Sequence, residues 1–257
     1  MAREPVEIER QGEVSIWTLA RPEAKNALDS STFVALGRAL QAAAADPGLR
    51  AVVLTGEGDT FASGGDLREL RTRTSSEHAA QLADMGRHIC DAIARLPVPV
   101  LAALNGPAIG GGAELAMACD LRIADARASL CFKHARMAVT TAWGVLPKLV
   151  ATVGHGTASR LLLAGHVVDA HEAYRLRLVD DVTEASGAVL RAMAWGLDVA
   201  QGAPRAVAEL KALLADHGAA DLRTRERERF ITMWTSADHR EAVEAFFASR
   251  APRWTGG

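Results

Sequence analysis

Residues 98–115 of the chain read VPVLAALNGPAIGGGAEL, and their succession of apolar residues and glycines is the strongest indication of the fold class. Its first seven residues are almost all apolar, which is typical of a buried strand. The loop that follows contains four glycines, which permit tight turns and a close approach of the backbone to a ligand. We predict that a helix starts near Gly111 and carries Glu114 in its first turn. The glycines and three prolines argue against a membrane span over residues 96–118, although this stretch is long enough to form one.

The same order of elements occurs earlier in the chain. Residues 51–55 (AVVLT) are predicted to form a buried strand, residues 56–66 a glycine-rich loop, and residues 76–95 a long helix. Two strand–loop–helix units in succession indicate an α/β fold. The remaining predicted elements are a hairpin over residues 6–19 around Gly12, a helix capped by Asp29 or Ser30 that ends before residues 46–48, short strands at 121–124, 129–132 and 179–182, and three or four helices from residue 187 onward.

The composition is that of an ordinary soluble protein. The 257 residues include 29 Lys and Arg and 31 Asp and Glu, and the net charge of −2 argues against nucleic-acid binding. The three cysteines, Cys90, Cys119 and Cys131, form no C-x-x-C pair, so we expect buried thiols rather than a disulfide framework or a zinc site. The N-terminus is charged and has no apolar signal segment, so we expect a cytoplasmic protein.

The two glycine-rich loops are the best candidates for a functional site. Where such a loop leads into a helix, its free backbone N–H groups can stabilise negative charge, and two of them facing each other form an oxyanion hole. Other glycine motifs do not fit this sequence. Leu115 stands where a dinucleotide-binding G-x-G-x-x-G would need its third glycine, and Phe61 replaces the first glycine of a G-x-S-x-G serine elbow.

At these loops the sequence resembles the enoyl-CoA hydratase/isomerase family of the crotonase superfamily, and the resemblance covers nearly the whole chain. The segments that carry it are Arg21-Pro22 with Asn26-Ala27-Leu28, residues 61–67 (FASGGDL), residues 105–116 with Cys119-Asp120, and the tail from Glu241 to Arg250. The resemblance implies an α/β spiral of β-β-α turns with an acyl-CoA site over residues 1–190. It also implies a helical trimerisation module over residues 191–257.

The resemblance further implies the roles of individual residues. The N–H groups of Gly65 and Gly111 would form the oxyanion hole for a thioester carbonyl, and Glu114 would be the first catalytic acid. Coenzyme A would be part of the substrate, and no metal or other cofactor is implied. Lys25 is expected either to contact a CoA phosphate or to be solvated, and Trp143 either to line the acyl pocket or to belong to the core. Asp66 is expected to be a loop or helix-capping residue rather than a catalyst. The expected substrate-binding residues are Ala24, Lys25, Ala27, Ala62, Ser63, Gly64, Asp66, Leu67 and Trp143.

The sequence departs from the family pattern at the second catalytic acid. Hydratases of this family place two glutamates around the bound water, but here His134 stands at the second acidic position. No Asp or Glu occurs from Ser129 until well past Lys148. Glu114 and His134 can form a mixed acid–base pair, because imidazole titrates near neutrality. Alternatively, His134 serves a decarboxylase of the ethylmalonyl-CoA type, or it is structural and the activity has been lost or narrowed.

We therefore expect an acyl-CoA lyase, with addition of water to a 2-enoyl-CoA as the leading hypothesis. Decarboxylation of a malonyl-type acyl-CoA is the alternative within the same fold, and a non-catalytic acyl-CoA binder is the rival from another class. A serine hydrolase is disfavoured because no serine–histidine–acid set is visible. The resemblance implies a homotrimer or a dimer of trimers, and neither nucleic acid nor membrane is an expected partner.

Overall fold

The computed structural model describes residues 3–256, whose strands form two β-sheets. The strands are β1 (Val6–Gln11), β2 (Val14–Leu19), β3 (Ala51–Gly56), β4 (Val100–Leu104), β5 (Ala108–Ile109), β6 (Leu121–Asp125), β7 (Ser129–Cys131), β8 (Val167–Asp169) and β9 (Asp181–Thr183). The larger sheet has the order β1-β2-β3-β4-β6-β9, and the smaller sheet has the order β5-β7-β8. Strands β1 and β2 pair antiparallel as a hairpin, and the other pairs of the larger sheet are parallel.

Helices cover the sheets and form the C-terminal part of the chain. They are α1 (Ser30–Ala44), α2 (Leu67–Leu70), α3 (Ser76–Arg95), α4 (Gly111–Ala118), α5 (Leu146–Val153), α6 (His155–Ala164), α7 (Ala170–Arg175), α8 (Ala188–Ala200), α9 (Pro204–Ala215), α10 (Leu222–Trp234) and α11 (Ala237–Phe247). Two 3₁₀ turns, Pro22–Ala24 and Lys133–Met137, lie between these elements.

The larger sheet is covered on both faces, which explains why its parallel strands have unbroken apolar sequences. In β3, Val52 and Leu54 belong to the main core, which includes apolar residues of α1, α3 and α4. The alternate residues Ala51 and Val53 belong to a second core on the opposite face, closed by Ala188 and its neighbours on α8. Because side chains alternate along a strand, the run AVVLT supplies both cores at once.

The chain builds the two sheets in repeated turns. After β4 it enters β5 and then α4, and after β6 it enters β7 and then the second 3₁₀ turn. Isolated bridges extend the smaller sheet towards the N-terminus, since Leu28 pairs with Gly65 and Ala62 pairs with Ala108. Each turn therefore adds a strand to the larger sheet, an extended piece to the smaller one, and a helix. This is the spiral of β-β-α turns that the resemblance implies.

The predicted long elements are confirmed, and the differences concern short strands. Asp29, rather than Ser30, caps α1, because its carboxylate accepts a hydrogen bond from the Thr32 amide at 2.8 Å. The sequence pattern predicts no strand at β8, which has three residues and is too short to show a period. The predicted strand at 179–182 is shifted to Asp181–Thr183, because the amides of Leu178 and Val179 donate to the Ala173 carbonyl of α7 and not to a neighbouring strand.

The last four helices all pack on the sheet or on one another. Helix α8 crosses the expected boundary at residue 190 and lies on the larger sheet, whereas α9 packs against α3 and carries α10 and then α11.

Lys211 of α9 is buried and donates to the carbonyl oxygens of Ile93 and Val98 at 2.8 and 2.9 Å. Burial lowers the pKa of Lys211, and its ion pair with Asp120 at 2.7 Å opposes that effect. Among the helices between residues 3 and 256, none combines the length and the apolar character that a membrane span requires.

Candidate active site

The two glycine-rich loops lie side by side. The Ile109 amide donates to the Ala62 carbonyl oxygen at 2.9 Å, which joins the loops directly. Gly64 has a φ of 95°, and a Cβ added to it would lie 2.8 Å from the Ile109 carbonyl oxygen and 3.2 Å from the Gly111 nitrogen. Glycine is therefore required at position 64 both for its backbone conformation and for its contact with the second loop.

The backbone N–H groups of Gly65 and Gly111 are free to bind a ligand. Across the described part of the chain, residues 3–256, neither group donates a hydrogen bond to a protein acceptor. Leu28 holds Gly65 in place, because the Leu28 amide donates to the Gly64 carbonyl and the Asp66 amide donates to the Leu28 carbonyl. Gly111 is the first residue of α4, where amides have no partner within the helix and the helix dipole adds partial positive charge.

A buried asparagine fixes the turn that precedes the first loop. Asn26 has a left-handed φ of 51°, and its side-chain NH₂ donates to the carbonyl oxygens of Glu57 and Thr60 at 2.9 and 2.6 Å. Its side-chain oxygen accepts a hydrogen bond from the Arg21 amide at 3.0 Å. These bonds tie the turn to the end of β3, from which the first glycine-rich loop continues.

An arginine and an aspartate lock the same loop from its other side. Arg21 donates to the Ala27 carbonyl at 2.6 Å and to Asp66 Oδ2 at 2.8 Å. Asp66 also accepts the Arg68 amide at 2.9 Å and so caps α2, which is the helix-capping alternative for this residue. Burial alone would raise the pKa of Asp66, but the hydrogen bonds from Arg21 and from backbone amides outweigh burial and lower it.

The structure brings together several of the expected substrate-binding residues. The Ser63 amide donates to the Lys25 carbonyl at 3.1 Å, and the Ser63 hydroxyl donates to the Ala24 carbonyl at 3.4 Å. The turn and the first loop therefore touch, and Lys25 is exposed beside them. Ala27 and Ala62 are buried beneath this contact, whereas Leu67 at the start of α2 is 62% exposed.

Glu114 lies in the first turn of α4, and its side chain is buried, with the residue 2% exposed. Its Oε1 lies 2.8 Å from His134 Nε2, and its Oε2 accepts a hydrogen bond from the Trp143 amide at 3.1 Å. Burial of a carboxylate is unfavourable unless the group is hydrogen-bonded, and here both oxygens have partners. The structure thus places Glu114 and His134, which lie on different elements, in direct contact.

His134 comes from the 3₁₀ turn that follows β7, and it is 8% exposed. Its Nδ1 is buried and has no hydrogen-bond partner among residues 3–256. A hydrogen on Nε2 satisfies the contact with Glu114 and leaves a lone pair on Nδ1, which is less unfavourable than a buried N–H without an acceptor. The arrangement is a carboxylate–imidazole dyad that can hold an exchangeable proton.

Two cations that the sequence patterns do not single out, the half-buried Lys148 and the buried Arg122, hold the opposite end of α4. Lys148 donates to the carbonyl oxygens of Ala118 and Cys119 at 3.2 and 2.7 Å, and Arg122 donates to that of Cys119 at 3.1 Å. Cations are favourable at this end of a helix, where carbonyl groups lack partners within the helix. Burial nevertheless lowers the pKa of Lys148. Lys148 is a cation within an otherwise apolar segment, which marks the residue in the sequence but not its partners, whereas Arg122 lies between two acidic residues and has no such signal.

The three cysteines are buried, as predicted, and none is suited to act as a nucleophile. Burial raises the pKa of Cys119 to about 12. Burial also raises the pKa of Cys90 and Cys131, and the nearby charge of Glu114 adds to the effect at Cys90. The reactive thiolate is therefore disfavoured at all three positions.

Comparison with known proteins identifies relatives of this chain in sequence and in fold. The sequence profile of the enoyl-CoA hydratase/isomerase family matches residues 9–257. The chain is 35% identical to a putative enoyl-CoA hydratase of Thermus thermophilus, with 97% of this chain and 100% of the relative covered. It is 32% identical to the short-chain-enoyl-CoA hydratase of Clostridium acetobutylicum, with 95% and 94% covered. A crystal structure of enoyl-CoA hydratase from Bacillus anthracis matches with a TM-score of 0.94 at 29% identity, over 98% of this chain and 100% of that one.

Proposed function

This chain belongs to the enoyl-CoA hydratase/isomerase family, and from that premise we propose that it adds water to the double bond of a 2-enoyl-CoA. The observation that carries the proposal is the buried carboxylate of Glu114, three residues along α4 from the free amide of Gly111. The names of two relatives support the substrate class. One is the short-chain-enoyl-CoA hydratase described above, and the other is the 2,3-dehydroadipyl-CoA hydratase of Escherichia coli, which is 30% identical to this chain.

The first part of the proposed mechanism is electrostatic. The thioester carbonyl oxygen accepts hydrogen bonds from the N–H groups of Gly65 and Gly111. These bonds strengthen as negative charge builds on the oxygen, because addition of water at C3 converts the thioester into an enolate. The loss of one donor of this kind typically lowers kcat by about 10²–10³-fold.

The second part is the handling of protons by Glu114 and His134. Glu114 accepts a proton from water as the water oxygen bonds to C3, and the electron pair of the double bond moves into the enolate. C2 then receives a proton from the dyad, so the hydroxyl ends on C3 and the hydrogen on C2. His134 stays hydrogen-bonded to Oε1 of Glu114, and the proton taken from water is exchanged within this pair before it reaches C2. The reaction consumes one water, and coenzyme A enters as part of the substrate.

Decarboxylation of a malonyl-type acyl-CoA is the second candidate, and the imidazole of His134 is the observation that favours it. When CO₂ leaves, the electron pair of the broken C–C bond stays on the acyl group, which becomes the same kind of thioester enolate. The amides of Gly65 and Gly111 would stabilise this enolate. C2 then takes a proton from the dyad. An imidazole beside Glu114 would repel a carboxylated substrate less than a second glutamate would.

Product mass distinguishes the two reactions. We expect the purified protein to convert crotonyl-CoA into a product heavier by one water and to leave ethylmalonyl-CoA unchanged. Loss of CO₂ from ethylmalonyl-CoA, without hydration of crotonyl-CoA, would replace the hydratase proposal with the decarboxylase. Tight binding of both esters with no change in either would identify a non-catalytic acyl-CoA binder.

The variant Glu114→Gln tests the carboxylate directly. Glutamine keeps the size of the side chain but cannot accept a proton from water, so hydration of crotonyl-CoA should slow by at least about 10²-fold. Binding of butanoyl-CoA should persist, because the oxyanion amides remain. Glu9→Gln on the exposed strand β1 is the matched control and should retain full turnover. Full turnover by Glu114→Gln would contradict the mechanism.

We further propose that the chain assembles into a homotrimer or a dimer of trimers through the helical module at residues 191–257. Large apolar side chains on its last helix support this proposal, since Phe246 and Phe247 are 79% and 81% exposed. Adjacent exposed aromatic residues of this kind mark surfaces that bind other proteins.

A further inference from the structure

The indole of Trp143 lies between two glycines that belong to different helices. At Gly86 of α3 an added Cβ would overlap the five-membered ring, and at Gly111 of α4 it would overlap the six-membered ring. Phe33 of α1 contacts the indole edge-on, with ring centroids 5.5 Å apart and an interplanar angle of 88°. Three helices therefore fix the ring, and two of them do so because they carry no side chain at the contact.

Trp143 also touches both groups on which the proposed chemistry depends. Its backbone amide donates to Glu114 Oε2 at 3.1 Å, and its ring rests against Gly111. A thioester oxygen bonded to the Gly111 amide lies about 3 Å from that nitrogen. The acyl carbons on which Glu114 acts therefore lie beside the indole.

We propose that Trp143 determines the acyl specificity of this site by limiting the length of the acyl group. The inference rests on the proposed acyl-CoA function, and it adds the substrate class, which is short and compact acyl groups such as butenoyl. The indole occupies the space between α3 and the start of α4, which a long unbranched chain leaving the carbonyl past Glu114 would need. Because protein interiors are close-packed, the ring and a long chain cannot share that space.

A purely structural tryptophan would give a different experimental result. Replacement of a buried tryptophan by leucine lowers stability in either case, because it leaves a cavity. A specificity role also changes the ratio of the affinities for short and long acyl esters, which a structural role would leave unchanged. The ratio is therefore the quantity to measure.

Calorimetric binding of two saturated esters, butanoyl-CoA and octanoyl-CoA, tests the proposal without requiring turnover. We expect the wild-type chain to bind butanoyl-CoA at least about tenfold more tightly, and Trp143→Leu to lose or invert that preference. Trp17→Leu is the matched control, because Trp17 is 3% exposed and belongs to the same core. This control should lose stability and keep the ratio. Trp143→Phe replaces the leucine variant if the latter does not fold, and it should shift the ratio in the same direction.

The outcomes separate this inference from the proposed reaction. An unchanged ratio in a folded Trp143 variant, or equal affinities in the wild-type chain, would overturn the specificity role. Failure to hydrate crotonyl-CoA, with the ratio and its shift as expected, would overturn the proposed reaction and support the specificity role. Failure of the wild-type chain to bind either ester would overturn both.

Discussion

His134 contacts Glu114 through an imidazole, a group that can both donate and accept hydrogen bonds. Two carboxylates in direct contact repel each other unless one of them holds a proton. Glu114 and an imidazole attract each other whenever a hydrogen lies between them, so the 2.8 Å contact is a stable resting arrangement.

We predict that Glu114 and His134 act as a unit in catalysis. His134→Gln can still donate a hydrogen bond to Glu114 but cannot exchange a proton, so kcat for crotonyl-CoA should fall by about 10²-fold or more. The double variant with Glu114→Gln should be close to the slower single variant, since groups that act together show strongly non-additive losses. Steady-state kinetics with crotonyl-CoA gives the kcat values of His134→Gln, Glu114→Gln and the double variant for this comparison.

Two results would contradict this prediction. Multiplied losses in the double variant would show that the two residues act independently. Full kcat in His134→Gln would show that the histidine is structural. Butanoyl-CoA binding by each variant is the control, because it shows that a lost turnover does not come from a lost fold.

At the scale of elements, the sequence predicts the strands and helices that follow a regular pattern. It does not predict contacts between residues that lie far apart in the chain. Strand β3 and helix α3 are predictable because their apolar patterns are long, and α4 because a glycine-rich loop precedes it. The place of Glu114 in the first turn of its helix follows from its sequence position. Its pairing with His134 follows from the resemblance, but the distance between them depends on how the turn after β7 folds. The role of Lys148 is not predictable, because its partners are backbone carbonyls at the far end of α4, which no local pattern reveals.

The loop that carries Gly65 leads to a pH-dependent prediction at Asp66. The folded-state pKa of Asp66 is lowered from 3.8, so its ionised form contributes stability above that pH, and the contribution is lost as pH falls through the lower folded value. At pH 7 we expect Asp66→Asn to lower the free energy of unfolding by about 2 kcal/mol, because it weakens charge-assisted bonds from Arg21 and the Arg68 amide. The difference from wild type should shrink as pH falls below 3.8.

Urea unfolding of both chains between pH 7 and pH 3 measures this difference. Asp84→Asn is the control, since Asp84 is exposed on α3. Its effect on the free energy of unfolding should be small at every pH. A difference for Asp66→Asn that stays constant down to pH 3 would refute the assignment of this stability to the ionised carboxylate.

On the scale of the whole molecule, buried cations fasten the C-terminal helices to the core. Lys211 of α9 donates to carbonyl groups in the last turn of α3 and just after it, and Arg50 before β3 donates to the Gly202 carbonyl at 2.7 Å. Removal of one such partner would leave buried polar groups unsatisfied, which is strongly unfavourable. Helix α9 is therefore held against the core, and α10 and α11 pack onto it in turn.

The exposed aromatic side chains of α11 predict an interface with other copies of the chain. In Phe246→Asp/Phe247→Asp the two most exposed aromatic side chains of α11 become charged, so an interface that buries them should be lost. Light scattering after gel filtration should give the wild-type chain a mass of about three or six times 27.2 kDa, and the double variant the monomer mass. Ile8→Asp introduces a charge at an exposed apolar residue of β1, remote in sequence from the helical module, and should keep the wild-type mass. A wild-type chain that elutes as a monomer, or a folded double variant that keeps the wild-type mass, would show that these helices do not form the interface.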